Sequence, residues 1–154
     1  MVRNIVSLLG LFLLLSVGVF AAGDSEKEKA AVAAAEEWLI MVDNGKYMES
    51  WKEAAQHFKN AVKQQQWEQS LQIVRKPLGK LISRKVKSKT YKTSLPSAPD
   101  GEYVVIQFET SFENKKSAIE TVTPMMDKDT KWRMSGYYMR YMTRSSCLVP
   151  AYTG

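Results

Sequence analysis

The chain has 154 residues and one cysteine, and its 22 lysines and arginines exceed its 16 aspartates and glutamates to give a formal charge of +6. This length suits one domain with one core, and the single cysteine, Cys147, excludes an intramolecular disulfide. In an oxidising compartment Cys147 could join two chains or remain an inert thiol, and both alternatives stay open. The positive charge permits an anionic partner but is also a common aid to solubility, so it decides little alone.

The N-terminus has the three-part layout of a secretory signal peptide. Arg3 is a lone cation, residues 5–20 form an apolar run, and small residues follow at 21–23. A retained membrane anchor is the less favoured alternative, because the run is short for a bilayer span. We predict that residues 1–22 are a signal peptide and that the exported protein is periplasmic or extracellular.

Three amphipathic helices are predicted next, over residues 24–43, 47–58 and 65–79. Asp24 or Ser25 can cap the first helix, and turn chemistry at Asn44-Gly45 ends it. Pro77 and Gly79 stop the third helix. Each helix carries one tryptophan at or beside its apolar stripe: Trp38, Trp51 and Trp67.

Four alternating stretches then predict strands over residues 81–94, 102–112, 117–126 and 131–141. The links "LPSAPDG", "ENKK" and "DKDT" are short turn-like clusters, so the strands should form an antiparallel meander. Helices followed by strands predict a single α+β domain over residues 23–141, with the helices on one face of a curved four-stranded sheet. Pro124 is expected at a bulge or a strand break. Residues 142–154 look like a C-terminal tail.

Four stretches together resemble the bacterial secreted family called domain of unknown function 4019. They are "EEWLIMVDNGKYMESW", "FKNAVKQQQWEQSLQIVRKPLG", "SRKVKSKTYKTSLPSAPDGEYVVIQFETSFENKKSAIETV" and "KWRMSGYY", within roughly residues 30–140. The resemblance implies a small exported α+β protein of the cone-shaped class similar to nuclear transport factor 2 and cystatin, and it implies no activity. The chain departs from the family pattern at Pro124 and at Thr130, where a turn glycine is usual.

Catalytic and metal-binding patterns are weak. His57 is the single histidine and has no cysteine near it in sequence, so a position on the helix surface is favoured over catalysis. No ligand spacing for zinc or calcium occurs. We therefore predict no catalytic residue, no metal and no cofactor.

A cavity between the helices and the sheet is the candidate ligand site. The three tryptophans could line it, although packing of the core is the favoured role for such aromatic residues. The border would include residues of the two central strands, with Thr110 and Thr123 among them. The candidate ligand-binding residues are Trp38, Trp51, Trp67, Arg75, Phe108, Thr121 and Tyr137.

The basic stretch "SRKVKSKTYK" offers a second surface. Alternation places Lys85, Lys87 and Lys89 on one side of an edge strand, where lysines commonly prevent pairing with other chains. Weak binding of an anionic surface through these lysines and Arg84 is the alternative, and export argues against nucleic acid as a partner.

Two glutamates in "QFETSFENKKSAIETV" raise a question of acid-base chemistry. A turn at Asn114-Lys115 would place Glu109 opposite Glu120 on the sheet face away from the helices. An ionic ladder is favoured over a catalytic pair, with Arg84 or Lys85 near Glu109 and with Arg133 or Arg140 near Glu120. On this interpretation Arg84→Ala should change stability only modestly.

Two functions from different classes remain. The first is a non-catalytic envelope protein that binds a small apolar ligand or another protein, with a homodimer possible. The second is an isomerase- or hydratase-like enzyme that uses carboxylates or Tyr137 in the cavity. Ionisable side chains between the helices and the sheet would favour the second, and Arg75 and Tyr137 are the first to inspect.

Overall fold

A computed structural model describes residues 19–141, with side chains from residue 23 onward. Most of the predicted signal peptide, Cys147 and the tail 142–154 lie outside the described residues. Within the described range, no helix is both long and apolar enough to cross a membrane.

Four helices precede four strands. The helices are α1 Val19–Asp43, α2 Tyr47–Lys52, α3 Gln56–Ala61 and α4 Gln64–Val74, followed by a 3-10 turn at Lys76–Leu78. The strands are β1 Leu81–Lys92, β2 Tyr103–Phe112, β3 Lys115–Met126 and β4 Trp132–Tyr141. They form one antiparallel sheet in the order β1-β2-β3-β4, so the predicted α+β class and meander are confirmed.

Two helix boundaries differ from prediction. The first helix already includes Val19, the first described residue, so Asp24 and Ser25 lie inside the helix and do not cap it; the alanines at 21 and 22 favour this extension. The predicted second helix is broken between α2 and α3. The N–H of Ala55 donates to the carbonyl of Met134 in β4 at 2.9 Å, and this tertiary hydrogen bond replaces a helical one.

Two predicted backbone features are confirmed. Gly45 ends α1 with a φ of 71°, in the left-handed region that glycine enters without strain. The pairing of β3 with β4 shifts between Thr123 and Pro124, so the proline lies at a bulge and β3 continues past it. Thr130, at the family's usual turn glycine, has a φ of 60°.

The helices cover one face of the sheet, and α1 contacts all four strands. The main core lies between these layers, with aromatic residues from the helices packed on apolar residues of the central strands. Its fully or nearly fully buried members include Ala35, Trp38, Leu39, Trp67, Leu71, Val104, Ile106, Phe108 and Val122. We call this side of the sheet the inner face and the opposite side the outer face.

The register of β2 and β3 contradicts the predicted pairing of the two glutamates. Glu120 lies opposite Phe108 on the inner face, whereas Glu109 lies opposite Ile119 on the outer face. The turn is at residues 113–114, and β3 has one extra residue between Lys115 and Ala118. A one-residue bulge moves all later side chains of a strand to the other face, which is why the prediction was wrong.

A similar bulge in β1 changes the predicted lysine row. Lys85 lies opposite Glu109, as one prediction had it, and Lys87 forms an ion pair with Glu109 at 3.1 Å. The register shifts between Val86 and Ser88, so Lys89 lies opposite Ile106 on the inner face. Arg84 also lies on the inner face and does not belong to an exposed basic surface.

Candidate functional site

A buried charged network joins the ends of two helices to three strands. Asp43 is the last residue of α1, and Arg75 directly follows α4. Three strands each contribute one inner-face side chain to the network: Arg84 from β1, Glu120 from β3 and Tyr137 from β4. Both arginines are nearly buried, with side chains 3% and 9% exposed, and the Glu120 side chain is 0% exposed.

Arg84 connects the two carboxylates of this network. Its Nη1 donates to Asp43 Oδ2 at 2.7 Å and its Nη2 to Asp43 Oδ1 at 3.1 Å, while its Nε donates to Glu120 Oε2 at 2.7 Å. Arg75 completes the charge balance by donating to Asp43 Oδ1 at 3.0 Å and to the carbonyl of Gly79 at 2.8 Å. Two arginines therefore neutralise two carboxylates.

Glu120 has no free oxygen directed at a solvent-filled space. Thr110 Oγ1 donates to Oε2 at 2.6 Å, beside the bond from Arg84, and the Tyr137 hydroxyl donates to Oε1 at 2.7 Å. In the described part of the chain, every buried side-chain nitrogen and oxygen has a hydrogen-bond partner. A carboxylate held in this way is suited to joining strands and helices, and a substrate would have to displace a protein donor to reach it.

Two members of the network have shifted pKa values. Burial raises the pKa of the Tyr137 hydroxyl well above its usual 10.0, and the neighbouring Glu120 carboxylate raises it further. Burial lowers the pKa of Arg84, but hydrogen bonds to Asp43 and Glu120 outweigh that effect and leave it raised. Tyr137 therefore stays a hydrogen-bond donor, and Arg84 stays a cation, across the neutral range.

The aromatic side chains pack together next to this network. The Trp38 and Trp67 ring centroids are 5.8 Å apart, and Tyr137 lies edge-on to both, at 5.7 and 6.0 Å. Trp38 Nε1 donates to the Ser50 carbonyl at 2.8 Å, and Trp67 Nε1 donates to Ser50 Oγ at 2.9 Å. The indoles are thus held by protein contacts, in the arrangement expected of a packed core.

The structure separates the seven predicted ligand-binding residues into three groups. Trp38, Trp67, Phe108 and Tyr137 form the core between the helices and the sheet, with Trp51 partly buried at its margin and donating to the Val62 carbonyl at 2.8 Å. Arg75 belongs to the charged network. Thr121 pairs with Gln107 and Tyr138 on the outer face, so its predicted position in the helix-sheet cavity was wrong, and Thr123 shares that face.

A groove of about 210 Å³ opens between α1 and the start of β4. Its floor contains two tryptophans and two methionines, and charged side chains form its rim. The lining residues are Ala34, Glu37, Trp38, Met41, Glu53, Lys131, Trp132, Arg133 and Met134. Trp38 is the one predicted ligand-binding residue that also lines this groove.

The charges at the rim of the groove fall into two kinds. Arg133 is already paired, with Asp129 at 2.6 Å and with Glu53 at 3.2 Å. Glu37 on α1 and Lys131 before β4 form no ion pair with any side chain that the structure describes. The groove therefore offers one anion and one cation beside an aromatic and thioether floor.

Sequence reasoning missed Asp43 and Glu120 in the network and every lining residue of the groove except Trp38. Asp43 was treated as part of a helix end, Glu120 was placed on the wrong face, and Trp132 was not considered. A signal for Asp43 did exist, since an acidic last residue opposes the negative end of the helix dipole and requires compensation by cations. Nothing comparable in the sequence locates the bulge that turns Glu120 inward.

Comparison with known proteins adds the family. No curated protein and no solved structure matched the chain, and the described residues contain no group of three or more histidine, cysteine, aspartate or glutamate side chains that could hold a metal ion. One family model, described as a protein of unknown function, matches residues 34–137. That range contains the groove and the buried charged network. The chain belongs to this family, DUF4019.

Proposed function

We propose that the protein is an exported envelope protein that acts as a non-catalytic binding module, with the groove between α1 and β4 as its ligand site. The observation that carries this proposal is that Glu37 and Lys131, which form no ion pair with a described side chain, line the same groove as Trp132, Met134 and neighbouring side chains. The layout of Arg3 and the apolar run after it supports export.

The chemistry of the rim favours a small zwitterion with an apolar body. A ligand carboxylate would pair with Lys131, a ligand ammonium would pair with Glu37, and the apolar part would lie on Trp132. The volume of about 210 Å³ is below the roughly 300–1,000 Å³ typical of sites for drug-sized molecules. Amino acids and short peptides are therefore the ligand class.

The enzyme alternative receives less support from the geometry. Ionisable side chains do lie between the helices and the sheet, but Glu120 is occupied by Arg84, Thr110 and Tyr137, and Arg75 is occupied by Asp43. The groove contains neither of the acid-base candidates, Arg75 and Tyr137. A binding role needs only the complementarity of the groove, so we prefer it.

Titration calorimetry of the purified mature chain with L-phenylalanine tests this proposal, alongside phenylpropionate and phenethylamine, which each keep one charge. We expect binding of phenylalanine at least about tenfold tighter than of either analogue, because each loses one charge-assisted contact. Glu37→Gln should weaken binding of the amine-bearing ligands and Lys131→Gln that of the carboxylates. Glu49→Gln and Lys128→Gln are matched exposed controls and should leave affinity unchanged.

Two results would contradict the proposal. Equal binding by all three compounds would show that the rim charges do not select the ligand. If the heat of phenylalanine binding were the same in the Trp132→Ala variant as in the unsubstituted chain, the binding site would lie elsewhere in the chain. Retained folding of each variant is checked by circular dichroism, so a loss of binding is not confused with a loss of structure.

A further inference from the structure

The open edge of β1 is independent of the groove. In the described part of the chain, β1 pairs with β2 alone and is the first strand of the sheet order. Its apolar side chains at Ile82 and Val86 are 66% and 41% exposed. An edge with free backbone groups and exposed apolar side chains can accept an added strand from another chain.

One contact within the protein indicates which chemistry this edge accepts. The backbone N–H of Tyr91 donates to Glu28 Oε1 of α1 at 3.1 Å. Among the described residues, this is the single hydrogen bond from a backbone N–H of β1 to a side chain. The partner is a carboxylate, and it lies at one end of the strand. Toward Leu81, no side chain between residues 23 and 141 accepts a hydrogen bond from a backbone N–H of this edge.

The charges along the strand agree with this contact. Lys85 and Lys89 form no ion pair with a described side chain, and Lys87 is half exposed and shares Glu109. A second copy of β1 added to this edge would bring lysines close to lysines, which is unfavourable. An acidic strand would instead bring carboxylates to these ammonium groups.

We propose that β1 binds an extended acidic segment of another protein by strand addition, along Ile82 to Lys89. Main-chain hydrogen bonds extend the sheet by one strand. Lys85 and Lys87, which both reach the outer face, select acidic side chains, and Ile82 and Val86 provide contacts for apolar ones. The segment that fits therefore alternates carboxylates with β-branched apolar residues and contains no proline.

Fluorescence anisotropy with three labelled octapeptides tests the proposal: alternating Glu-Val, alternating Lys-Val and alternating Glu-Pro. We expect binding of the Glu-Val peptide and none of Lys-Val, because only the former complements the lysines. The Glu-Pro peptide has the same charge but lacks half of the backbone donors, so it should bind at least about tenfold more weakly. Amide resonances of residues 82–89 should shift on addition of Glu-Val.

Charge reversal of the edge provides the matched variants. Lys85→Glu with Lys87→Glu should weaken Glu-Val binding by about tenfold or more, because both lysines reach the outer face. Lys116→Glu with Lys128→Glu makes the same change in net charge at exposed positions away from β1. This control measures the effect of net charge alone, and it should weaken Glu-Val binding much less than the change in β1 does. Phenylalanine binding in the groove should be unchanged in both double variants, and this result separates the present proposal from the proposed ligand site.

Three outcomes would overturn the proposal. Equal binding of Glu-Val and Glu-Pro would indicate charge attraction without strand addition. Tighter binding to anionic phosphatidylglycerol vesicles than to any peptide, lost in the Lys85/Lys87 variant, would identify a membrane surface as the partner. No peptide binding, together with self-association of the charge-reversed variant in sedimentation, would show that the lysines serve only to protect the edge.

Discussion

The two faces of the β2–β3 hairpin hold similar ion pairs in very different surroundings. On the inner face Glu120 meets Arg84 at 2.7 Å with side chains 0% and 9% exposed. On the outer face Glu109 meets Lys87 at 3.1 Å with side chains 61% and 41% exposed. The two glutamates are eleven residues apart and would share one face without the bulge in β3.

The two ion pairs differ in whether water can hydrate the partner that remains when one member is lost. If Glu109 loses its lysine, water hydrates both groups, so the pair contributes little. If Glu120 is removed, Arg84 keeps its charge, as a guanidinium does in proteins, and loses one of its two carboxylate partners where its side chain is only 9% exposed. The inner pair therefore determines whether the helices and sheet can remain packed.

The largest expected effect is that of Glu120→Ala. This change leaves Arg84, Thr110 and Tyr137 without the acceptor they share, and we expect unfolding to become easier by about 3–5 kcal/mol. Glu109→Ala is the matched control and should change stability by less than about 0.5 kcal/mol. Urea unfolding followed by tryptophan fluorescence measures both. Similar losses for the two variants would mean that Glu120 is as hydrated as Glu109.

The same contrast revises the expectation for Arg84→Ala. An exposed ladder predicted a modest effect, but Arg84 joins Asp43 to Glu120 in the interior. Its removal leaves two carboxylates facing each other across the gap, so the loss should approach that of Glu120→Ala.

Tyr137→Phe tests a single hydrogen bond within the inner network. The ring stays among Trp38 and Trp67, but Glu120 Oε1 loses its donor. We expect a loss of about 1–3 kcal/mol in the free energy of unfolding, as for a hydrogen bond to a buried charged group. Tyr138→Phe, on the outer face, is the control and should change stability by less than about 0.5 kcal/mol. Equal effects would argue that the hydroxyl of Tyr137 has access to water.

The sequence predicted the strands well because each is bounded by turn residues and alternates in polarity. The faces of β2 followed correctly, with Phe108 buried and Glu109 exposed. The faces of β3 did not, although the turn itself is not the cause. Moving the turn by one residue along both strands shifts partners by two and preserves the faces, whereas one extra residue in β3 reverses them.

The sites were harder to predict than the fold for the same reason. Arg75 and Tyr137 were named as the first ionisable residues to inspect, with the facing of Tyr137 left open, and their partners Asp43 and Glu120 come from distant elements. The bulge between Val86 and Ser88 in β1 and the one between Lys115 and Ala118 in β3 decide which side chains meet, and neither contains a glycine or proline that would mark it. Backbone irregularities of this kind are fixed by tertiary packing, which a local pattern does not record.

The smallest expected effect concerns a surface pair at the other end of the molecule, where Lys27 of α1 bonds to Glu102. The hydrogen bond from Lys27 is the main cause that lowers the pKa of the Glu102 carboxyl below its usual 4.5. The Tyr91 hydroxyl, which donates to the same carboxyl at 2.8 Å, is the second cause. A carboxyl group with a lowered pKa in the folded state stabilises that state above its unfolded pKa, and this contribution is lost as the pH falls.

Glu102→Gln should therefore lower the Tm slightly near neutral pH, and the difference from the unsubstituted protein should disappear as the pH falls through the lowered pKa of the Glu102 carboxyl in the folded state. Thermal scans at several pH values measure this, with Asp100→Asn in the preceding loop as an exposed control. Side chains about one-third exposed let salt screen the pair, so added salt should also reduce the difference. A Tm difference that persisted in acid would have to come from the hydrogen bond of Tyr91, which the amide can still accept in part, and not from the ionised carboxylate. The contact would then resemble the buried network of Glu120 more than the exposed pair of Glu109.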